Sequence, residues 1–219
     1  LAAYQDPGLF LSDQIAQKIA KELQLSRMRI LEGAIPSANR KTVSTTLTAS
    51  DVSDAKYLLG DQAQTLKYAL MHSKVYEDLE SAKAIVFMPA NQIYPIASDQ
   101  ANTLGISASG LVPTIRGMQV VITDDATVIS GSPNQYVTYL IGEASMGLFY
   151  QRAPKIEYAR EALIDGGYDI VIPRMDYVMC LHGVDYTSTS YSDANITNTA
   201  NYTLKWNAKQ VAAVRVVSL

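Results

Sequence analysis

Apolar and polar positions follow two periods along this chain, and the switch between them outlines its organisation. Between Asp6 and Pro36, Ile15, Ile19 and Leu23 recur at steps of four, with Ala16 and Ala20 beside them and charged residues opposite. That spacing predicts an amphipathic helix. Ser12 or Asp6 is suited to cap its start, and Gly33 and Pro36 to end it. Some 20 such residues, at ~1.5 Å each, make a rod of about 30 Å. After a polar stretch, a second helix starts at a Thr48 or Ser50 cap and runs through Val52, Ala55, Leu58 and Leu59. Leu66, Tyr68, Leu70 and His72 then alternate as on one face of a strand, and Ser73 is placed to cap a short helix carrying Val75, Tyr76 and Leu79.

Further on the period is two. The stretch VPTIRGMQVVITDD reads as a strand, and SGSPN separates it from the apolar YVTYLIG. The last third predicts the strands MGLFYQ, KIEYAR, YDIVIP, DYVMCLHGVDYT and VAAVRVVSL, with the polar STSYSDANITNTANY as a loop. No internal repeat or low-complexity tract appears. A long helix, short mixed elements and a run of antiparallel strands make the fold class α+β.

Composition narrows the functions open to such a fold. The 219 residues, 48% of them apolar, suffice for a substantial core. Eighteen lysines and arginines against 21 aspartates and glutamates give a net charge of −3, so no whole-molecule basic field gathers phosphates. With one cysteine and two histidines the chain has neither an internal disulfide nor a zinc-like ligand set. Its longest apolar runs fall far short of the ~20 residues of a membrane helix, so no membrane partner is expected.

Candidate chemistry is sparse. His72 and Ser73 could act as base and nucleophile, but neighbours on a strand point to opposite faces, and capping accounts for the serine. Cys180 and His182 lie two apart on a predicted strand and so share a face, as a thiolate and imidazole pair would, yet apolar neighbours favour an ordinary buried thiol. Asp124 and Asp125 have no further acidic residue at ligand spacing and suit a turn. GISASG lacks the spacing of a nucleophile elbow, DGGYD precedes a strand rather than a phosphate-cradling helix, and the NIT and NYT sequons carry no weight without a secretory signal. No catalytic, cofactor-binding or metal-binding residue is assigned, and no cofactor is expected.

The order of segments carries more. LLGDQAQTLKYALMHSKVYEDLE, PTIRGMQVVITDD, YVTYLIGEASMGL, EYAREALIDGGYDIVIPRMDYVMCLHGVDYT and NYTLKWNAKQVAAVRVVSL, in that sequence, closely resemble the major capsid proteins of tailed bacteriophages, which have the Hong Kong ninety-seven fold. The MHSKVY corner, the strand ending in Asp124-Asp125 and the stretch leading to LHGV are the recognisable marks.

The resemblance implies a capsid-type fold with a long spine helix, antiparallel peripheral β-hairpins and a mixed α/β axial domain. Residues 1–40 and 147–190 would form the peripheral domain and residues 41–146 and 191–219 the axial domain, with His72-Ser73 a corner of the latter. The chain opens at Leu1 near the spine helix, so the family's N-terminal arm and extended loop are expected to be absent. Where relatives carry basic sequence near the hairpin, IPRMDY has Arg174 as its only cation.

The implied function is an icosahedral shell around phage double-stranded DNA, assembled in the bacterial cytoplasm and resident in the virion. The implied partners are further copies in pentamers and hexamers, with scaffold, portal and decoration proteins, and DNA held without sequence specificity. An encapsulin-type compartment shell is the near alternative, and a small hydrolase built on Cys180 and His182 the distant one.

Overall fold

The computed structural model describes residues 7–89, 111–161 and 168–219. In chain order its helices are α1 (Pro7–Ala34), α2 (Ala49–Lys56), α3 (Ser73–Ser81) and α4 (Asp193–Thr197). The strands are β1 (Arg40–Thr42), β2 (Leu66–Met71), β3 (Val86–Pro89), β4 (Leu111–Ile115), β5 (Met118–Ile122) and β6 (Val128–Ile129). They continue with β7 (Gln135–Gly142), β8 (Met146–Glu161), β9 (Tyr168–Leu181), β10 (Val184–Tyr186), β11 (Tyr202–Leu204) and β12 (Ala213–Ser218). These elements divide into two compact units, residues 1–27 with 146–180 and residues 28–145 with 181–219.

The second unit is built on an eight-stranded sheet in the order β1-β12-β7-β2-β5-β4-β3, with β6 also on β7. β1 with β12 and β2 with β5 pair in parallel, and the other ladders are antiparallel, so the sheet is mixed and the class α+β. In β7, Val137, Thr138, Tyr139 and Leu140 are all buried, as befits a central strand covered on both faces. On one face Val52, Ala55 and Leu59 join Val75 and Leu79 of α3 over Ala69, Met71, Val120, Leu140 and Val216. The apolar spacing expected of α2 and α3 therefore builds this layer. The Thr48 side chain caps α2 in a capping box with Asp51, and a nine-residue 3-10 segment, Tyr57–Thr65, carries Leu59 onward.

Five local expectations are corrected. The stretch VPTIRGMQVVITDD, expected as one strand, is the antiparallel hairpin of β4 and β5, turned at Arg116-Gly117. In β2 the side chains buried with Leu66 are Ala69 and Met71, while Tyr68 and Leu70 are half-buried, because a bulge between Leu66 and Tyr68 shifts the alternation. Gly33 lies inside α1 rather than ending it: a Cβ there would collide with the Ile196 carbonyl oxygen, so glycine permits a close approach. The polar stretch 188–202 contains α4 and begins β11, which pairs with β10. MGLFYQ and KIEYAR merge into the 16-residue β8, YDIVIP and the first half of DYVMCLHGVDYT merge into the 14-residue β9, and the rest of that last stretch turns at Gly183 into β10.

The first unit comprises the α1 turns up to Arg27 and most of β8 and β9, which pair as a two-stranded sheet. Six residues separate these strands, too few for a parallel crossover, so they form an antiparallel ribbon. Ile15, Ile19 and Leu23 are half-buried rather than enclosed, and Ser26 Oγ lies 3.1 Å from the Tyr177 hydroxyl of β9. Of the α1 start caps, Asp6 lies outside the described residues, while Ser12 falls inside the helix. In the second unit Met28, Leu31, Ile35 and Leu181 are buried.

Candidate functional site

The His72-Ser73 corner is where β2 turns into α3. Residue 72 is the helix cap, not the last strand position: His72 Nδ1 accepts the Lys74 amide at 3.1 Å, and Ser73 opens the helix. The expected roles are thus exchanged. Leaving the strand also brings the side chains together, with Ser73 Oγ 3.4 Å from His72 Nδ1, contrary to the opposite-face argument. Asp124, exposed beyond β5, lies 3.8 Å from His72 Nε2. Hydrogen bonds from Ser73, chiefly from its hydroxyl, hold the Asp124 carboxyl below its usual range, with a smaller contribution from His72.

Serine, histidine and aspartate meet here without a relay. Nδ1 is engaged by a backbone amide, and the aspartate is tied to the serine rather than orienting the imidazole. The cluster finishes a helix N-terminus, and Tyr136 packs on the imidazole with ring centres 5.0 Å apart.

The Cys180 and His182 pair is not on one strand. β9 ends at Leu181, Cys180 belongs to the first unit, and His182 lies in the turn of the second, where its amide donates to the Ser145 carbonyl at 2.9 Å. The period-two argument that put both on one face fails at that strand end. Arg174 pairs with Glu157 at 3.1 Å on the exposed ribbon. GISASG, residues 105–110, lies outside the described residues, as do the first three residues of DGGYD. Among the described residues no three His, Cys, Asp or Glu side chains gather as a metal site, and no helix is long and apolar enough to cross a membrane.

The most developed polar cluster joins the end of α1 to the sheet. Arg215 and Tyr139 are cross-strand partners on β12 and β7, and both reach Glu32: Arg215 Nη2 to Oε1 at 2.5 Å, the Tyr139 hydroxyl to Oε2 at 2.6 Å. Thr127 Oγ1 lies 2.8 Å from the same hydroxyl. Burial foremost, then Glu32, holds the Tyr139 phenol protonated well beyond the usual range. Arg40 donates to the carbonyls of Glu32, Gly33 and Ile35, satisfying acceptors that the helix end leaves open. Burial and then Arg215 lower its pKa. The arrangement has a charge pair and a locked phenol, which is the chemistry of a brace. Sequence inspection missed it because its members are 183 positions apart at the extreme.

Exposed apolar side chains are the other feature that calls for a partner. Val86 and Phe87 on β3, the end strand of the sheet order, and Leu111 beside it on β4 are about half exposed or more. Phe149, Tyr150, Ile156, Ile172 and Val178 stud the β8–β9 ribbon. Large apolar surface of this kind marks association faces in stable proteins.

No protein-family model and no curated protein sequence matches the chain. Among the solved structures similar to it over nearly its full length are two shells. One is the holo-SrpI encapsulin complex from Synechococcus elongatus PCC 7942, with a TM-score of 0.55 at 11% identity over 98% of this chain and 67% of the other. Another is the head of Helicobacter pylori bacteriophage KHP40, with a TM-score of 0.50 at 9% identity over 94% of this chain and 67% of the other. The chain thus spans about two thirds of the length of each. The likeness establishes the fold, which is of the capsid type expected from the order of segments.

Proposed function

We propose that this chain is a shell subunit, the major capsid protein of a tailed bacteriophage, whose work is to place many copies around packaged double-stranded DNA. The observation that carries the reading is the whole-chain likeness of fold to an encapsulin and a phage head. Two properties support it. An acidic subunit of net charge −3 does not adhere strongly to nucleic acid, which suits a container that must not trap its cargo. The exposed apolar residues of β3, β4 and the ribbon supply surface that contact with further copies would cover.

On this reading residues 1–40 and 147–190 act as the peripheral domain and residues 41–146 and 191–219 as the axial domain, with copies meeting as pentamers and hexamers. Scaffold, portal and decoration proteins are the further partners, the shell assembles in the bacterial cytoplasm, and the virion is its destination. The role is structural, with no catalytic step. A compartment shell with protein cargo is the second reading, favoured by the TM-score of 0.55 to the encapsulin complex. The ordered motifs shared with phage capsid proteins favour the first.

Negative-stain microscopy of the protein expressed in bacteria, followed by analysis of what purified particles enclose, tests both readings. Closed particles are expected. Nuclease-protected double-stranded DNA in particles from a phage-producing culture supports the capsid, while a defined protein cargo supports the compartment. A protein that stays monomeric under every assembly condition defeats both.

A further inference from the structure

Within the second unit a pocket of about 350 Å³ opens between the end of α2, the 3-10 segment after it, the start of β2 and the β4–β5 turn. Its polar lining is Ser53, Lys56, Tyr57, Gln64, Lys67 and Arg116. Three cations and no carboxylate line it, and among the described residues none of the three is paired with an acidic side chain.

Two of the three cations, Lys67 and Arg116, are brought there by local departures from regular structure. Lys56, at the last position of α2, is only 8% exposed, and its Nζ donates to the Arg116 carbonyl at 3.3 Å. An ammonium has three donors, so that bond leaves capacity for a ligand. Burial first, and Lys67 second, lower its pKa, as expected of a charge without a counter-ion. Lys67 is the residue at the β2 bulge, where the register passes from Leu66 opposite Gly142 to Tyr68 opposite Ile141; such bulges re-aim a side chain.

Arg116 and Gly117 form the two-residue β4–β5 turn, both at positive φ (49° and 78°). Asparagine or glycine adopts that first position far more easily than arginine. Arg116 Nε donates to the Ala49 carbonyl at 3.1 Å, which fixes the guanidinium. The helix end nearby contributes roughly half a negative charge, well short of balancing three cations.

We propose that this pocket is an oxyanion site for a small phosphate-bearing anion. A carboxylate brings one negative charge, whereas a phosphate brings about two at neutral pH and several acceptor oxygens for an arginine fork and two ammonium groups. The volume lies at the lower end of the roughly 300–1,000 Å³ of small-ligand pockets, room for a phosphate or pyrophosphate group but not for a large ligand. Nothing in this inference depends on the shell reading.

Calorimetric titration of the whole chain with inorganic phosphate and with pyrophosphate, at constant ionic strength, tests it. One saturable site is expected, weakened about tenfold or more by Lys67→Gln and by Arg116→Asn, and unchanged by Lys74→Gln on α3. Arg116→Asn removes the charge while asparagine suits the left-handed turn, so it tests binding rather than folding. Lys56→Met should abolish the response; should that variant fail to fold, the other two still decide. Absence of saturable binding, or equal affinity in every variant, overturns the proposal. So does a DNA duplex that binds with the same variant losses while phosphate and pyrophosphate do not, because the groove would then serve a nucleic-acid backbone.

Discussion

The two units differ in where their apolar side chains end up. Every fully buried apolar side chain among the described residues belongs to the second unit, including Leu31, Leu59, Met71, Tyr139, Leu140 and Val216. In the first, Ile15, Ile19 and Leu23 are half-buried, and Phe149 and Tyr150 remain 59% and 50% exposed. The physical reason is layering. An eight-stranded sheet with helices against it encloses a volume, whereas a helix and a two-stranded ribbon have too few layers, and a ribbon of two strands is marginal by itself. One unit carries its own stability, and the other leaves apolar surface for further contacts.

The largest expected effect lies in the enclosed core. Leu59→Ala or Leu140→Ala, both at 0% exposure, should lower unfolding stability by about 2–5 kcal/mol, through lost transfer energy and the cavity left behind. Leu23→Ala in α1 should cost clearly less in the same denaturant titration, because it is already partly solvated. Equal losses would mean that the first unit has a core of its own and would break the comparison.

Next comes the brace at the end of α1. Tyr139→Phe removes the donor to Glu32 Oε2 and the partner of Thr127, at an expected cost of about 1–3 kcal/mol. A pH signature accompanies it. The folded Tyr139 pKa is raised by burial first and by Glu32 second, so the folded state keeps its proton where the unfolded chain has lost it. The resulting stability is complete below the ordinary tyrosine pKa of about 10 and falls as pH rises above it. Stability measured across that range should decline in the parent protein and less steeply in Tyr139→Phe.

How far the sequence reveals these features depends on how local their causes are. The α2 cap, the spacing of Val52, Ala55 and Leu59, and that of Val75 and Leu79 involve residues within a turn or two, and all appear in the structure. The order of segments also pointed to the capsid-type fold. The β2 face was misread because a bulge opposite Gly142 is decided by the partner strand. His72 replaced Ser73 as cap because strand and helix meet one residue earlier than the apolar pattern suggests. Cys180 and His182 separate because β9 ends between them, at Leu181. The Glu32 brace and the cationic pocket join segments far apart in the chain, and no periodicity encodes them.

A smaller effect is expected at the cap of α2. Thr48→Ala removes a hydroxyl that accepts the Asp51 amide at 3.3 Å and donates to its carboxylate, and should cost about 1 kcal/mol. The Thr48 hydrogen bond first, and Lys41 after it, hold the Asp51 carboxyl below its usual range. That contribution is present above the ordinary aspartate pKa and is lost as pH falls through the lower folded value. Acid unfolding monitored by circular dichroism should therefore begin at higher pH in Thr48→Ala than in the parent. Coincident acid transitions would show that the box adds nothing to the second unit.

The smallest effect on folding is expected on the ribbon, and it is the most informative about the first unit. Ile172 and Val178 are 39% and 45% exposed on β9, so replacing either by serine removes little buried contact. Unfolding stability of the single chain should change by no more than about 0.5 kcal/mol, the usual range for surface sites. If copies of the chain cover this ribbon in a shell, the same substitutions put a hydroxyl where apolar contact is needed, and the yield of closed particles should fall while the monomer stays folded. Particle yield by sedimentation, with the melting midpoint of the unassembled fraction, separates the two outcomes. A large loss of monomer stability would show that Ile172 and Val178 already serve an internal core, whereas unchanged yield with unchanged stability would remove the ribbon from the assembly surface and leave the β3 edge to supply it.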